Sequence, residues 1–509
     1  MRHKVLGYIL AAAMLLLAIG IMLAVTPTQA SPADATPPHP QTSDGLYASP
    51  NERIGVGVAL AIADITHYDV SQLEAGWYSE WTTRAAPTHP NGMDYVQLIS
   101  TDSRLYPPDW DDLLVKIQSN PGSLWLIGNE MEATYQENLT PEQYAPRYHD
   151  VYMFIKSVDP TAQVGIGGVI LPSPLRLQWL DRVLQAYQTR YGVPMPIDVW
   201  TTHMQMVNEV SCSYDPYNCW GAEIPVGISA NYGITMTTED NARYDLFIQL
   251  VTAMRTWMNQ RGFRNKPLII SEYGVLMPST YLCAQCGEHP ELGDAIVSSF
   301  MTRTFQYLLT ATDPTIGYPP DGNRLVQRWM WYALNDRPYD FETGEGFNGS
   351  LFDYHNLAYP GTLTQFGQVF KDFVSALKVP YIDLAPAGLA AIPAGGGTYT
   401  LTAGVTNLGN TSASNITVRL YNGDPAAGGT QIGSDIMIAS LGMRYSTPAT
   451  VQFVWTPPSG VISQTLYVVV DPDNVIGESN KDNNKAGYDL RYLGYPVKIL
   501  LPVIVKNRP

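Results

Sequence analysis

Basic residues are scarce in this chain. Its 509 residues include 30 Lys and Arg against 46 Asp and Glu, so the net charge is −16 at pH 7. Beyond the N-terminus the positive charge is not clustered. Because binding to nucleic acid or to an anionic membrane surface relies on basic patches, we expect neither as a partner. Disorder is excluded too, since 45% of the residues are hydrophobic and the length suffices for two or three folded domains.

A hydrophobic run long enough to cross a membrane occurs only at the N-terminus. Residues 1–30 combine a basic start, an apolar stretch and small residues before position 31, which predicts a secretory signal cleaved after Ala30. The run at 5–25 could also span a bilayer, so an uncleaved anchor that attaches the protein to a membrane is the alternative. Residues 31–50 are rich in proline and predict a linker. The protein is therefore expected outside the cell.

Cysteine is also rare: the chain has four. In an exported protein they are expected to form disulfides. Cys283 and Cys286 form a C-x-x-C motif, but the second such motif that a zinc finger needs is missing. Four cysteines allow three pairings, and proximity favours Cys212 with Cys219 and Cys283 with Cys286. We expect neither a metal nor a cofactor.

Short apolar segments alternate with amphipathic ones over residues 51–378. The segments include "RIGVGVALA", "SLWLIGN", "IDVWTTHM", "PLIISEYG" and "QRWMWYAL". Strand candidates separated by helical segments predict an α/β fold, a (β/α)8 TIM barrel. An open doubly wound sheet is the alternative, and the absence of a glycine-rich phosphate loop after the first strand argues against it.

The pattern changes near residue 379, where alternating strands and turns rich in Gly, Asn and Pro predict an all-β sandwich over 379–490. The segment resembles the CARDB family, an immunoglobulin-like module of exported bacterial and archaeal proteins, through "TNLGN" and the polar residues of its last hairpin. We expect those side chains to cap turns, with calcium binding as the alternative. They are Asp471, Pro472, Asn474, Glu478, Asn480, Asn483 and Asn484. Residues 491–509 form a tail of open role.

Two glutamates follow predicted strands at the end where barrels carry catalytic residues. Glu130 ends "SLWLIGNE", the fourth predicted strand, and Glu272 lies in "PLIISEYG", the seventh, so both should face one cleft. The domain resembles the clan A glycoside hydrolases, retaining β-glycosidases built on such barrels. The resemblance implies that Glu130 is the acid/base, that Glu272 is the nucleophile and that Asn129 contacts the sugar 2-hydroxyl.

Further substrate contacts are predicted around this pair. His203 ends the sixth strand and could orient the nucleophile; the clan often has His-x-Tyr here, whereas this chain has His203, Met204 and Gln205. Aromatic rings are predicted as platforms for a sugar face, with barrel packing as the alternative. The predicted aromatic contacts are Tyr273, Trp331, Trp329, Trp77 and, more weakly, Trp81. Arg84 is the nearest match to an arginine that the clan carries near strand two.

Two other acids near the pair are given structural roles. Glu132 is predicted to be a solvated loop residue, and Asp336 is predicted to cap the turn after strand eight. The sequence thus predicts a secreted retaining glycoside hydrolase that acts on a polysaccharide, as an endo-acting β-glucanase or β-mannanase. A non-catalytic cell-surface carbohydrate-binding or adhesion protein is the alternative. A metal-dependent barrel hydrolase is disfavoured because the eight histidines form no His-x-His motif.

Overall fold

The computed structural model describes residues 46–461 and 463–491. The predicted signal or anchor, most of the linker and nearly all of the predicted tail lie outside the described residues. In the part of the chain that is described, no helix is both long and apolar enough to cross a membrane.

Eight parallel strands form the barrel. Each strand pairs with the next, the pairing of the last with the first closes the ring, and an isolated bridge from Gly165 to Val199 joins the fifth strand to the sixth. The predicted fold class is therefore confirmed. The strands are β1 Ile54–Gly57, β2 Trp77–Ser79, β3 in two segments, Asp94–Tyr95 and Gln97–Ile99, β4 Leu124–Ile127, β5 Gln163–Ile166, β6 Trp200–His203, β7 Leu268–Tyr273 and β8 Arg328–Tyr332.

Helices follow the strands from β3 onward, whereas the first two strand connections contain only short 3-10 turns. Thr140 begins the second helix with a capping box, because its side chain accepts from the Gln143 backbone while the Gln143 side chain returns to Thr140. The helices are α1 Trp110–Ser119, α2 Pro141–Val158, α3 Pro174–Tyr191, α4 Tyr244–Gln260, α5 Pro290–Thr310 and α6 Gln365–Ser375.

The interior of the barrel is filled by side chains. A second, larger layer of apolar residues packs between the strands and the helices. Burial of each large apolar side chain stabilises the fold by about 1.5–3 kcal/mol. A filled interior leaves only the ends of the strands for a functional site. The interior residues are Trp77, Val96, Leu98, Leu126, Val199, Ile269 and Met330.

The C-terminal part is an antiparallel sandwich, as predicted. One sheet has the order β9-β10-β13 and the other β12-β11-β14-β15. Burial alternates residue by residue along β10, as expected for a strand with one face on the core. The strands are β9 Leu384–Gly395, β10 Thr398–Asn407, β11 Ala413–Asn422, β12 Thr430–Leu441, β13 Ala449–Trp455, β14 Ser463–Val470 and β15 Lys485–Arg491.

The polar residues of the last hairpin make turn hydrogen bonds. The carboxylate of Asp471 accepts from the backbone amides of Val475 and Ile476, each at 3.0 Å. The carboxylate of Glu478 accepts from the Leu384 amide and from the side chain of Asn484. These contacts are the turn chemistry that the sequence predicts.

The sandwich contacts the N-terminal end of the barrel strands. Arg444 pairs with Glu52 at 2.5 Å and donates to the carbonyl of Gly92. Next to it, the hydroxyl of Tyr445 donates to Asp94 at 2.6 Å. Glu52 precedes β1 and Asp94 begins β3, so the sandwich lies opposite the end where β4 and β7 present their glutamates.

Both predicted disulfides are confirmed. Cys212 bonds to Cys219 in the loop after β6, and Cys283 bonds to Cys286 in the loop after β7. Each bond closes a short loop at the C-terminal end of the barrel strands.

Candidate active site

The ends of β4, β6 and β7 bring three titratable side chains together. One carboxylate oxygen of Glu130, one of Glu272 and a ring nitrogen of His203 all lie within 4.8 Å of one another. Nδ1 of His203 is 2.9 Å from Oε1 of Glu130 and 3.9 Å from Oε2 of Glu272. Their exposed fractions are 6%, 1% and 8% respectively. The two predicted catalytic glutamates and the predicted histidine therefore form one buried cluster at the mouth of the barrel.

A bulge in β7 aims Glu272 into the cluster. Thr202 of β6 pairs with Ile270, but the next residue, His203, pairs with Glu272, so Ser271 is an extra residue in β7. A bulge of this kind redirects the side chains that follow it. Glu272 consequently faces His203, and Tyr273 turns to the helical side of the barrel.

His203 is wedged against the backbone of the β5 loop. A Cβ atom placed on Gly168 would lie 2.4 Å from Cδ2 of His203, closer than any real contact. The backbone amide of His203 donates to the carbonyl of Val169 at 2.8 Å. Glycine at position 168 thus gives the imidazole its place between the two carboxylates.

Gln205 is a site residue that the sequence interpretation missed. Its Nε2 donates to Oε1 of Glu272 at 2.8 Å. Gln205 stands at the position where the resembling clan has the tyrosine of His-x-Tyr, so an amide makes the hydrogen bond expected from a hydroxyl. The signal that could have found it was its place two residues after His203.

The electrostatics of the cluster favour protonation of Glu272 and His203. Burial raises the pKa of Glu272 to about 7; the charges of Glu130 and Asp336 act in the same direction, whereas His203 and Gln205 oppose them. Burial disfavours the charged form of His203, but the neighbouring carboxylates Glu272 and Glu130 raise its pKa above the ordinary value. Because the groups interact so closely, protons belong to the cluster rather than to one residue.

Asn129 presents an unsatisfied acceptor beside Glu130. Its Oδ1 is buried and has no hydrogen-bond partner among the described residues. A buried carbonyl oxygen without a partner is costly unless a ligand supplies a donor. The side chain is therefore suited to accept a hydrogen bond from a bound hydroxyl.

Four predicted aromatic contacts lie away from the cleft. Trp329 and Trp331 are fully buried, and both pack against Phe305 of α5. Tyr273 bonds through its hydroxyl to Thr304 of the same helix. Trp77 fills the barrel interior and donates to the carbonyl of Arg53 at 3.2 Å. The structure corrects the prediction that these four contact substrate, because Met330 takes the inward position on β8 and leaves both tryptophans facing outward.

Other aromatic side chains occupy the mouth. Trp81 is half-buried and meets Tyr332 edge-on, with ring centroids 5.2 Å apart. Phe347 contacts the other side of Tyr332 at 4.8 Å. The hydroxyl of Tyr332 donates to Oδ2 of Asp336 at 3.0 Å, while Oδ1 accepts from the backbone amide of Arg337. Asp336 therefore caps its turn, as predicted, and also fixes a ring at the mouth.

The structure also shows the contacts of two charged residues that the sequence analysis singled out. Glu132 is not solvated: it is completely buried and paired with Arg176 at 2.8 Å, so that prediction is wrong. Arg84 bonds to Glu80 and Asp64, and neither of these acids belongs to the cluster of Glu130, His203 and Glu272.

The comparison with protein families identifies the domain in the C-terminal part of the chain. The CARDB family model matches residues 384–487. Residues 384–487 are a CARDB domain. A solved CARDB domain from Pyrococcus furiosus, in complex with di-metal ions, is 24% identical, with a TM-score of 0.18 over 22% of this chain and 88% of that chain. The CARDB domain and the two disulfides fit an extracellular protein.

The barrel is similar to solved glucanases at low identity. A GH128 curdlan-specific exo-β-1,3-glucanase from Blastomyces gilchristii is 15% identical, with a TM-score of 0.39 over 64% of this chain and 99% of that chain. A GH128 endo-β-1,3-glucanase from Sorangium cellulosum is also 15% identical, with a TM-score of 0.39 over 64% of this chain and 98% of that chain. No curated protein matches the sequence.

Proposed function

We propose that this protein is a secreted retaining glycoside hydrolase that cleaves β-glycosidic bonds of a polysaccharide by double displacement. The observation that carries the proposal is the buried pair Glu130 and Glu272, whose nearest oxygens lie within 4.8 Å. Retaining enzymes hold their two carboxyl groups about 5–5.5 Å apart, whereas inverting enzymes leave about 6.5–9.5 Å for a water molecule. The observed spacing supports the retaining arrangement.

In the first step, a carboxylate oxygen of Glu272 attacks the anomeric carbon, and the bond from that carbon to the glycosidic oxygen breaks. Glu130 gives its proton to the departing oxygen, so the leaving sugar departs as an alcohol. This step ends with a glycosyl ester on Glu272 and an ionised Glu130.

In the second step, Glu130 takes a proton from a water molecule, whose oxygen attacks the anomeric carbon from the side of the departed sugar. The ester bond breaks and Glu272 returns to the carboxylate. Glu130 can change from acid to base because formation of the ester removes the negative charge of Glu272 beside it.

Gln205 and His203 hold the pair in place. The amide of Gln205 fixes one oxygen of Glu272, which leaves the other oxygen for attack. Nδ1 of His203 bonds to Glu130 and so orients the acid/base. As a group that shares protons with both carboxylates, His203 also buffers the protonation of the pair.

The substrate contacts are proposed from the side chains at the mouth. Asn129 accepts a hydrogen bond from a sugar 2-hydroxyl, which strengthens in the transition state. Trp81 and Tyr332 provide the apolar faces against which a sugar ring stacks. Within this class we propose an endo-acting β-glucanase or β-mannanase, with the sandwich as a spacer or attachment module.

Reducing-sugar release from β-glucans (curdlan included), mannans, xylans and galactans tests the proposal. The signal-free protein is compared with Glu130→Gln, Glu272→Gln and the control Glu288→Gln, which changes an exposed glutamate in the loop after β7. We expect activity on one polymer, lost in both site variants and kept in the control. NMR of the first product should show the β-anomer. Polymer binding without turnover by the unmodified protein would instead favour the adhesion protein.

One observation favours a second candidate, a metal-dependent hydrolase. The donor atoms of Glu130, His203 and Glu272 lie close enough together to hold a divalent ion. Chelation distinguishes the two candidates: activity should survive EDTA under the first candidate and be lost, then restored by zinc, under the second.

A further inference from the structure

Glu132 lies two residues after Glu130 and has no part in the proposed chemistry, yet it is completely buried. We propose that Glu132, Arg176 and Glu209 form a positioning network that holds the backbone of Glu130 in the conformation needed for catalysis. The proposal rests on the proposed function, in which Glu130 is the acid/base.

The three side chains form a closed ionic cluster. Nε of Arg176 is 2.8 Å from Oε1 of Glu132, and another guanidinium nitrogen pairs with Glu209. The third nitrogen donates to the carbonyl of Ala222 at 2.6 Å. All three side chains are 0% exposed. A buried cluster of this kind is a costly way to gain stability, since apolar residues of similar volume often serve as well or better. Its presence therefore calls for another role.

The network joins the three loops that shape the site. Glu132 belongs to the loop after β4, Arg176 to the first turn of α3 and Glu209 to the loop after β6. The carboxylate of Glu132 also accepts from the amide of Ile170 at 2.9 Å, and Glu209 accepts from the amide of Ile234 at 2.9 Å. Each carboxylate thus binds backbone as well as Arg176, which fixes the loops relative to one another.

The backbone of Glu130 is what these contacts constrain. Its φ is +45°, in the left-handed region that side chains other than glycine rarely adopt. Its amide donates to the carbonyl of Gly168 at 2.9 Å on one side, and the carbonyl of Glu132 accepts from Val226 at 2.9 Å on the other. Strained conformations at active sites persist only where the surroundings fix them firmly. The network supplies that fixation on the C-terminal side of Glu130.

The test replaces Glu132 by glutamine. Glu132→Gln keeps the shape and the acceptor for Ile170 but loses the ion pair. The matched control is Glu142→Gln on α2, which breaks an exposed pair with Arg182 at 2.6 Å. We expect Glu132→Gln to lower kcat by about 10- to 100-fold with a nearly constant KM, since small displacements of a catalytic group cost rates of this order. The control should change neither kcat nor KM.

A second variant covers the case in which Glu132→Gln fails to fold. Arg176→Lys keeps the positive charge but cannot bridge both carboxylates and Ala222 at once. Arg176→Lys should lower kcat, as Glu132→Gln does. A folded Glu132→Gln or Arg176→Lys protein with wild-type kcat would overturn the proposal.

Hydrogen exchange separates this proposal from the proposed function. If the unmodified protein hydrolyses no polymer, the proposed function fails, but the network still predicts faster exchange in the segment 128–134 of Glu132→Gln than in Glu142→Gln. Equal exchange in the two variants would show that the network does not hold the backbone of Glu130.

Discussion

Two pairs of buried acids, one pair at each end of the barrel, have opposite surroundings. At the N-terminal end Asp321 and Glu52 each face an arginine: Arg53 donates two hydrogen bonds to Asp321, at 2.6 and 2.7 Å, and Arg444 pairs with Glu52. At the C-terminal end, Glu130 and Glu272 share His203, and no ion pair with an arginine reaches either of them within the described residues. Matched pairs satisfy buried charge, whereas crowded acids raise the free energy of the folded state. Removal of one partner from a matched pair should therefore destabilise the fold, whereas removal of one acid from the crowded pair should not.

The largest effect expected at the C-terminal end is the loss of the nucleophile. Glu272→Gln should lower kcat on the best polymer at least about 1,000-fold, because an amide cannot form the glycosyl ester. Its melting temperature should stay the same or rise, since a buried acid with a raised pKa is removed. The measurements are reducing-sugar release and thermal unfolding, with Glu288→Gln as control. Residual activity above a tenth would assign the nucleophile elsewhere.

The opposite outcome is expected at the N-terminal end. Asp321→Asn leaves Arg53 buried without its partner and should cost about 3–5 kcal/mol of the free energy of unfolding. The kcat per folded molecule should not change, because Asp321 lies at the other end of the strands. Chemical denaturation and active-site titration measure the two quantities. A variant with normal stability and reduced kcat would abolish the distinction between the two ends.

Local sequence patterns predicted the barrel and the strand-end positions of Glu130 and Glu272 because both depend on short-range order. Apolar runs of strand length followed by Asn129–Glu130 or by Glu272 identify strand ends without knowledge of partners. It is harder to predict which face of a strand points into the barrel. Trp329 and Trp331 lie two residues apart on β8 and share one face, but no residue on β8 shows which face is inward. The prediction that both contact substrate placed them on the inward face, which Met330 occupies.

Features set by contacts distant in sequence could not be predicted. The bulge at Ser271 is visible only in the register of β7 against β6. Glu132 looks like a loop residue because its partner, Arg176, lies 44 residues further along the chain. Gln205 gives no local signal beyond its spacing from His203. Each case depends on which loops meet at the mouth, and this is a property of the closed barrel.

The pH dependence of stability should also separate the two ends. The pKa of Glu272 is raised from 4.5 to about 7 in the folded protein, so between these pH values the folded state binds more protons than the unfolded state. Stability should therefore fall as pH rises through this window, by about 3 kcal/mol if Glu272 titrates alone. His203, whose pKa is also raised, acts in the same direction.

Thermal unfolding between pH 4 and 8 measures this slope. Glu272→Gln should flatten it, whereas Glu288→Gln should leave it unchanged. An equally steep slope in Glu272→Gln would mean that the raised pKa belongs to another member of the cluster.

The smallest expected effect compares two tryptophans near β2. Trp77 fills the interior, while the ring of Trp81 lies at the mouth beside Tyr332. Trp81→Ala should weaken oligosaccharide binding about tenfold, or by about 1.4 kcal/mol, because a stacking face is lost, with little change in melting temperature. Trp77→Phe should lower the melting temperature and leave affinity unchanged, since it opens a cavity in the filled interior. Calorimetric titration in the inactive Glu272→Gln background measures affinity without turnover. An equal loss of affinity in Trp77→Phe and Trp81→Ala would mean that the sugar platform depends on the interior packing beneath it. The assignment of Trp81 as the stacking face would then lose its basis.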